Sequence, residues 1–203
     1  MASSEDKKYR GDIVAGSLLL PESRKIAGLL LRHVSPEEWH RAVFLDNILQ
    51  KRSPAGIERH ARLIRNRLMT FDDPVWRLIK EGSVQTASQA LMACAVKHSR
   101  LMGDFMDTVV QPHWQTFHRQ IDAADWRRYL ERCAQIDPGV EAWQPTTRYK
   151  LKQVVFRMLA EAGYIDNTRA CRLLPVVLVP DIRDYLKEHG ETYVLRCMEV
   201  TSL

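Results

Sequence analysis

No long apolar run occurs in this chain of 203 residues. Its longest uncharged stretch, Gly82 to Val96, spans 15 residues and includes Ser, Thr and Gln. A membrane-spanning helix needs roughly 18 or more predominantly apolar residues, so none is expected. The leading MASSEDKKYRGD is charged and lacks the apolar core of a secretory signal. Cysteine is sparse: Cys94, Cys133, Cys171 and Cys197 stand far apart with no C-x-x-C pair. They read as reduced, buried thiols of a cytoplasmic protein. Gly-rich phosphate loops, nucleophile elbows and H-E-x-x-H are all missing, as are internal repeats and low-complexity tracts.

The chemistry that remains is thin. Cys94 and His98 stand at i, i+4, which permits two metal ligands on one helical face, but nothing adjacent in sequence completes a site and both fall on an apolar stripe. Asp104 and Asp107 in GDFMD are spaced for a carboxylate pair, and a pair of this kind more often pins neighbouring Arg or Lys. His113 and His118 are five apart and share no helical face. No enzyme activity, metal or cofactor is therefore expected. No run of exposed aromatics interleaves with basic residues, which argues against single-stranded nucleic acid as a ligand.

What the sequence does have is helical periodicity almost throughout, with 45% hydrophobic content, which argues against disorder. The pattern predicts an all-α, compact globular protein: a flexible leader over 1–12, an N-terminal helix-turn-helix region over 13–70, a central helical core over 71–136, and a C-terminal helix-turn-helix-like region with terminal helices over 137–203. Pro21 to His33 reads as the first helix. Val34-Ser35-Pro36-Glu37-Glu38-Trp39 is a dense start signal for the second, with Ser35 as cap and Glu38 completing a capping box. One long buried helix is expected from Val84 to Val110, bounded by Pro112. A helix around His113–Gln120 follows, then one from Ala123 to Gln135 capped by Asp122.

Residues 47–69, NILQKRSPAGIERHARLIRNRLM, organise the reading. Ser53 is a good N-cap and Pro54 suits the first helical position. At 100° per residue, Ala61, Ile64 and Leu68 fall within about 40° of Ile57, whereas Arg59, Arg62 and Asn66 fall about 140–200° away. One face docks on a core and the other presents two guanidiniums and an amide. Residues 51–67 carry a local charge of +5 and residues 146–172 carry +4, which leaves −4 for the rest of a chain whose net charge is +5. Positive charge so segregated is the footprint of a polyanion binder. The 47–53 connection is longer than the usual three- or four-residue turn of a helix-turn-helix.

In the second basic segment Thr146 is read as the cap of a helix from Thr147 to Ala162, with Gly163 as its stop and Lys150, Gln153 and Arg157 outward. After it, residues 172–180 have strand-like β-branched content and two prolines, suited to a short extended, wing-like segment. Asp181 to His189 reads as a helix, and residues 191–200 fit a helix better than a strand.

Four segments in order, ILQKRSPAGIERHARLIRNRL, SRLMGDFMD, TTRYKLKQVVFRMLAEAGYI and RLLPVVLVP, resemble the BrxA family of small core components of BREX bacteriophage-exclusion systems. The resemblance covers the chain from about Gly11 onward. It implies an all-α, non-enzymatic protein with two helix-turn-helix motifs that binds double-stranded DNA. It also implies work beside a DNA methyltransferase, an ATPase and a phosphatase-like component. On this reading Lys51, Arg52, Arg65 and Arg67 meet phosphates, the Ser53 end of the recognition helix adds backbone N–H donors, and Arg59, Arg62 and Asn66 reach base edges. Arg148, Lys150, Lys152 and Gln153 form a second DNA-binding surface. Two alternatives are an adaptor that grips other BREX subunits through its basic surfaces, and an RNA-binding helical bundle.

Overall fold

The computed structural model describes residues 9–200. Among them the chain is helical, with no named strand and two isolated antiparallel bridges, Gln120–Arg172 and Ile165–Leu173. A short 3-10 turn, Asp12–Ala15, precedes α1 (Leu20–Leu31). The second helix, α2 (Pro36–His40), begins with the expected capping box: Ser35 accepts from the Glu38 N–H and Glu38 accepts from the Ser35 N–H. It widens into a π turn over Arg41–Leu45. α3 (Pro54–Leu68) follows, then α4 (Asp73–Glu81) and α5 (Val84–His98), whose N-cap Ser83 accepts from the Thr86 N–H. α1 packs on α4 and α3, and α3 and α4 both pack on α5. Ten consecutive residues of α5, Ala87 to Val96, are buried, as its all-round small and apolar surface requires.

The single long helix expected from Val84 to Val110 is in fact broken. Ser99, in an extended conformation, ends α5 and caps α6 (Arg100–Phe105) by accepting from the Met102 N–H. The apolar pattern runs straight through the break, so periodicity cannot locate it. Beyond Phe105 the chain continues through a π turn, Met106–Val110, into α7 (Gln111–Gln115). Pro112 therefore lies inside the helical run instead of bounding it. The wider π turn supplies i→i+5 bonding just ahead of the proline, where the ordinary i→i+4 pattern has no N–H to use. α7 stops at Gln115, short of the expected Gln120.

Near the chain's start the leader expectation needs correcting. Residues 1–8 lie outside the described residues, but Tyr9 is buried, its N–H donates to Asp137 Oδ2 and its hydroxyl donates to Asp104 Oδ2. Asp104 also accepts from the Tyr193 hydroxyl at 2.8 Å and pairs with Arg100 at 2.8 Å, while Asp107 binds Arg196 through two hydrogen bonds. The GDFMD carboxylates are thus occupied in pinning distant segments. Gly103 lies beside this hub: a Cβ there would sit 2.3 Å from the Tyr193 hydroxyl oxygen.

α8 (Ala123–Ile136) starts at the expected cap, Asp122, in a capping box with Asp125. α9 (Pro145–Glu161) starts two residues before the expected Thr147, with Pro145 in the first turn and Gln144 at the cap position, so Thr146 is helical and caps nothing. Gly163 takes φ +81°, which favours glycine where the chain leaves α9. Residues 172–174 lie between two neighbours: Leu173 N–H donates to Arg119 O, and Leu174 N–H to Tyr164 O. Gln89 then clamps the rest, donating to Val177 O and accepting from Val179 N–H. The extended segment exists, held down on α5. α10 (Pro180–Glu188) and α11 (Thr192–Met198) complete the chain. Buried side chains from Tyr9 to Val200 form one continuous core.

Candidate nucleic-acid interface

α3 begins at Ser53, whose hydroxyl accepts from the Gly56 N–H at 3.2 Å. The turn before it is loose, as its length requires. Asn47 and Gln50 both adopt left-handed conformations, at φ 45° and 53°, and the Asn47 side chain bonds both the N–H and the C=O of Lys51. Leu49 is buried beneath this loop. The turn is closed by an asparagine side chain and anchored by an apolar residue, which a shorter connection would not need.

Ile57, Ala61, Ile64 and Leu68 are buried, as the stripe predicts. Arg59, Arg62, Arg65, Asn66 and Arg52 are exposed. Arg62 meets Glu58 at 3.8 Å with both side chains largely in solvent, a contact worth about 0–1 kcal/mol. The Arg65 guanidinium lies over the Trp39 ring at 5.0 Å, which orients it while leaving its charge in solvent. Arg52, Arg59 and Asn66 have no hydrogen-bond or ion-pair partner among the described residues.

Three of the expected contact residues are used inside the molecule. Arg67 is 3% exposed and donates to the carbonyls of Ser17, at 2.5 Å, and Gly16, at 3.0 Å. Burial lowers its pKa to about 10, so it stays charged at neutral pH, as a strut and not a phosphate ligand. Its phase could have shown this. Arg67 falls about 80° from Ile57 on the side where Leu63 is also buried, so the docked arc of α3 is wider there than the four-residue stripe suggests. Lys51 pairs with Glu22 at 2.5 Å with both side chains mostly buried. Although burial alone would raise the Glu22 pKa, the Lys51 ammonium holds it below the usual carboxylate range. Arg148 reaches back to the carbonyls of Trp143, Val140 and Glu141, tying the turn before α9 to its first residues.

On α9, Lys150 and Gln153 are exposed and Lys152 is half-buried, with its ammonium 5.5 Å from the Phe156 ring centroid. These three border one concave groove of about 570 Å³, together with Arg157, Tyr149 and, from α3, His60. No carboxylate lines it. Arg157 and Tyr149 belong to this surface although neither was expected among the contact residues. Arg157 was legible as an outward cation, whereas His60 enters only because the fold sets α3 beside α9. The groove meets α3 on its His60 flank, roughly 100° around the helix from Arg59, so Arg59, Arg62 and Asn66 face elsewhere. Gly16 and Ser17, the residues Arg67 holds, also line this groove.

Among the described residues no group of three or more His, Cys, Asp or Glu is placed to hold an ion. Cys94 is fully buried, and burial pushes its thiol up to about 12. No helix of the described residues is long and apolar enough to cross a membrane.

The scaffold is all-α, and it carries one exposed basic helix, α3, and a second cationic helix, α9, that lines a common groove with it. The family model that matches residues 7–190 is BrxA. The chain is 43% identical to the BREX protein BrxA of Paramagnetospirillum magneticum, over 97% of this chain and 98% of that protein. It is 32% identical to the BREX protein BrxA of Escherichia coli O9:H4 strain HS, over 96% and 91% respectively. A crystal structure of an uncharacterized protein from Magnetospirillum magneticum superposes with a TM-score of 0.88 at 42% identity, over 96% of this chain and all of that one. The chain belongs to the BrxA family of BREX phage-defence components.

Proposed function

We propose that this chain is the double-stranded DNA-binding component of its BREX system, acting in the cytoplasm without catalysing a reaction, and that the segment from α2 to α3 serves as a helix-turn-helix. The observation that carries this reading is the outward face of α3. Arg59, Arg62, Arg65 and Asn66 stand exposed over a seam that is fully docked, and one weak contact to Glu58 is all that offsets their charge. Arginine suits the acceptors of guanine and asparagine those of adenine, while Arg52 is placed for phosphate. The groove with Lys150, Lys152, Gln153 and Arg157 supplies a second cationic surface for the duplex backbone. A methyltransferase, an ATPase and a phosphatase-like protein are the partners the family setting implies.

The test is a fluorescence anisotropy titration with a labelled duplex. Paired substitutions Arg59→Glu and Arg62→Glu should weaken binding by about tenfold or more, a loss of about 1.4 kcal/mol. The same reversal at Arg127 and Arg128 should have a smaller effect. Affinity should also fall steeply with salt, because neutralised phosphates release counterions. Affinity indifferent to salt and to both reversals overturns the reading. If BREX subunits then remain bound after nuclease treatment, the basic surfaces serve an adaptor.

A further inference from the structure

The end of α7, the loop that follows it and the extended segment after α9 form a groove of about 460 Å³, lined by Trp114, Phe117, His118, Arg119, Leu173 and Pro175 among others. Phe117 is the anomaly. Its side chain is 82% exposed and its backbone sits at φ 60°. A left-handed conformation is costly for an aromatic residue, and leaving the ring in water forfeits the gain of burying it. Two penalties therefore fall on one residue. Leu174 and Val177, on the adjoining segment, are also exposed, Val177 at 72%.

From this we infer that the groove is a docking site for a protein partner, and that its occupant is a segment with one large apolar side chain flanked by carboxylates. The apolar anchor follows from the lining and from the held-out ring. The acidic flank follows from charge. Arg119 is the one Lys, Arg, Asp or Glu in the lining, it is exposed, and its guanidinium has no partner among the described residues. No carboxylate borders the groove. Strand addition is not the mode, because the N–H groups of Leu173 and Leu174 are already bonded to Arg119 O and Tyr164 O. Recognition runs through side chains. This surface is separate from the exposed face of α3 and does not rest on the DNA reading.

The experiment uses the full chain and short synthetic fluorescein-labelled peptides carrying one Phe or Leu between Asp and Glu residues, with Lys-flanked versions beside them, in the absence of nucleic acid. Acid-flanked peptides should bind at least about tenfold more tightly than Lys-flanked ones. Phe117→Asn should remove most of that binding, Arg119→Glu should reverse the flank preference, and Arg59→Glu with Arg62→Glu should change neither. Amide resonances over 114–119 and 173–175 should shift on addition of peptide. Failure of every acid-flanked peptide to bind, or binding unmoved by both groove substitutions, overturns the inference. So does displacement of peptide by an unlabelled DNA duplex, which assigns the groove to nucleic acid. A concentration-dependent dimer that Phe117→Asn abolishes overturns it too, by giving the groove to a second copy of the chain.

Discussion

Arg67 on α3 and Glu161 on α9 both hold Ser17, and together they bind three consecutive residues, Gly16 to Leu18. Arg67 donates to the carbonyls of Gly16 and Ser17, while Glu161 accepts from the Ser17 hydroxyl at 2.8 Å and the Leu18 N–H at 2.9 Å. The preceding 3-10 turn, Asp12–Ala15, contacts both helices. Residues 12–18 are therefore the wedge that fixes the two basic helices relative to one another. A charge expected at the ligand surface instead sets the spacing of that surface.

Removing the strut should cost stability. Arg67→Met deletes both donors and leaves the buried Ser17 carbonyl and the part-buried Gly16 carbonyl without them, and a buried acceptor left unsatisfied costs about 1–3 kcal/mol. We expect a loss of about 2–4 kcal/mol in urea unfolding. Arg67→Lys keeps the charge but not the two-pronged geometry and should recover only part of it. Combined with Glu161→Gln, the losses should be non-additive, because both residues act on one segment. A duplex affinity that falls in step with charge but not with stability would put Arg67 back among the phosphate contacts.

Neighbouring cations should separate in the same way. Arg52 is exposed and without a partner, whereas Lys51 is sequestered with Glu22. Arg52→Ala should lower the slope of log affinity against log salt by about 0.9, the value for one lost phosphate contact, and leave the melting temperature unchanged. Lys51→Ala should lower the melting temperature through the stranded Glu22 carboxylate and leave the salt slope nearly intact. Equal slopes for the two variants would contradict the division drawn from the structure.

Features set by local chemistry were legible in the sequence. Ser35, Ser53 and Asp122 cap where expected, because a cap depends on residues three positions away. The docked stripe of α3 was legible for the same reason. Tertiary features were not. The break at Ser99 occurs inside an unbroken apolar pattern with neither Gly nor Pro at the break. Arg148 was read as a free cation because its carbonyl partners lie five to eight residues back, in a non-helical turn. Tyr9 looked like part of a tail because Asp104 and Asp137, which hold it, are distant in sequence.

Acid should loosen the fold through His98. Its Nδ1 is buried without a hydrogen-bond partner, and burial lowers its pKa, with the Arg67 and Arg10 charges adding to the shift and Asp12 opposing it. Between the folded value and the ordinary histidine value, the unfolded chain holds the extra proton. Stability therefore rises with pH across that window and is fully present above the ordinary value. Chemical denaturation at a series of pH values should show this slope in the wild type and a flatter one in His98→Gln. Identical slopes would mean that His98 titrates alike in both states.

The strain at Phe117 makes a prediction opposite in sign to most substitutions. At φ 60° a phenylalanine pays about 1–2 kcal/mol for the left-handed conformation, and asparagine tolerates it far better. The ring is 82% exposed, so its removal forfeits little packing. Phe117→Asn should accordingly stabilise the chain by about 0.5–1 kcal/mol in urea unfolding, while Phe117→Ala, which keeps most of the strain, should be close to neutral. A gain in stability paired with a loss of peptide binding is the pattern of a residue retained for what it contacts outside the fold. Destabilisation by Phe117→Asn would show instead that the ring packs against Trp114 and Leu173 firmly enough to offset its backbone strain.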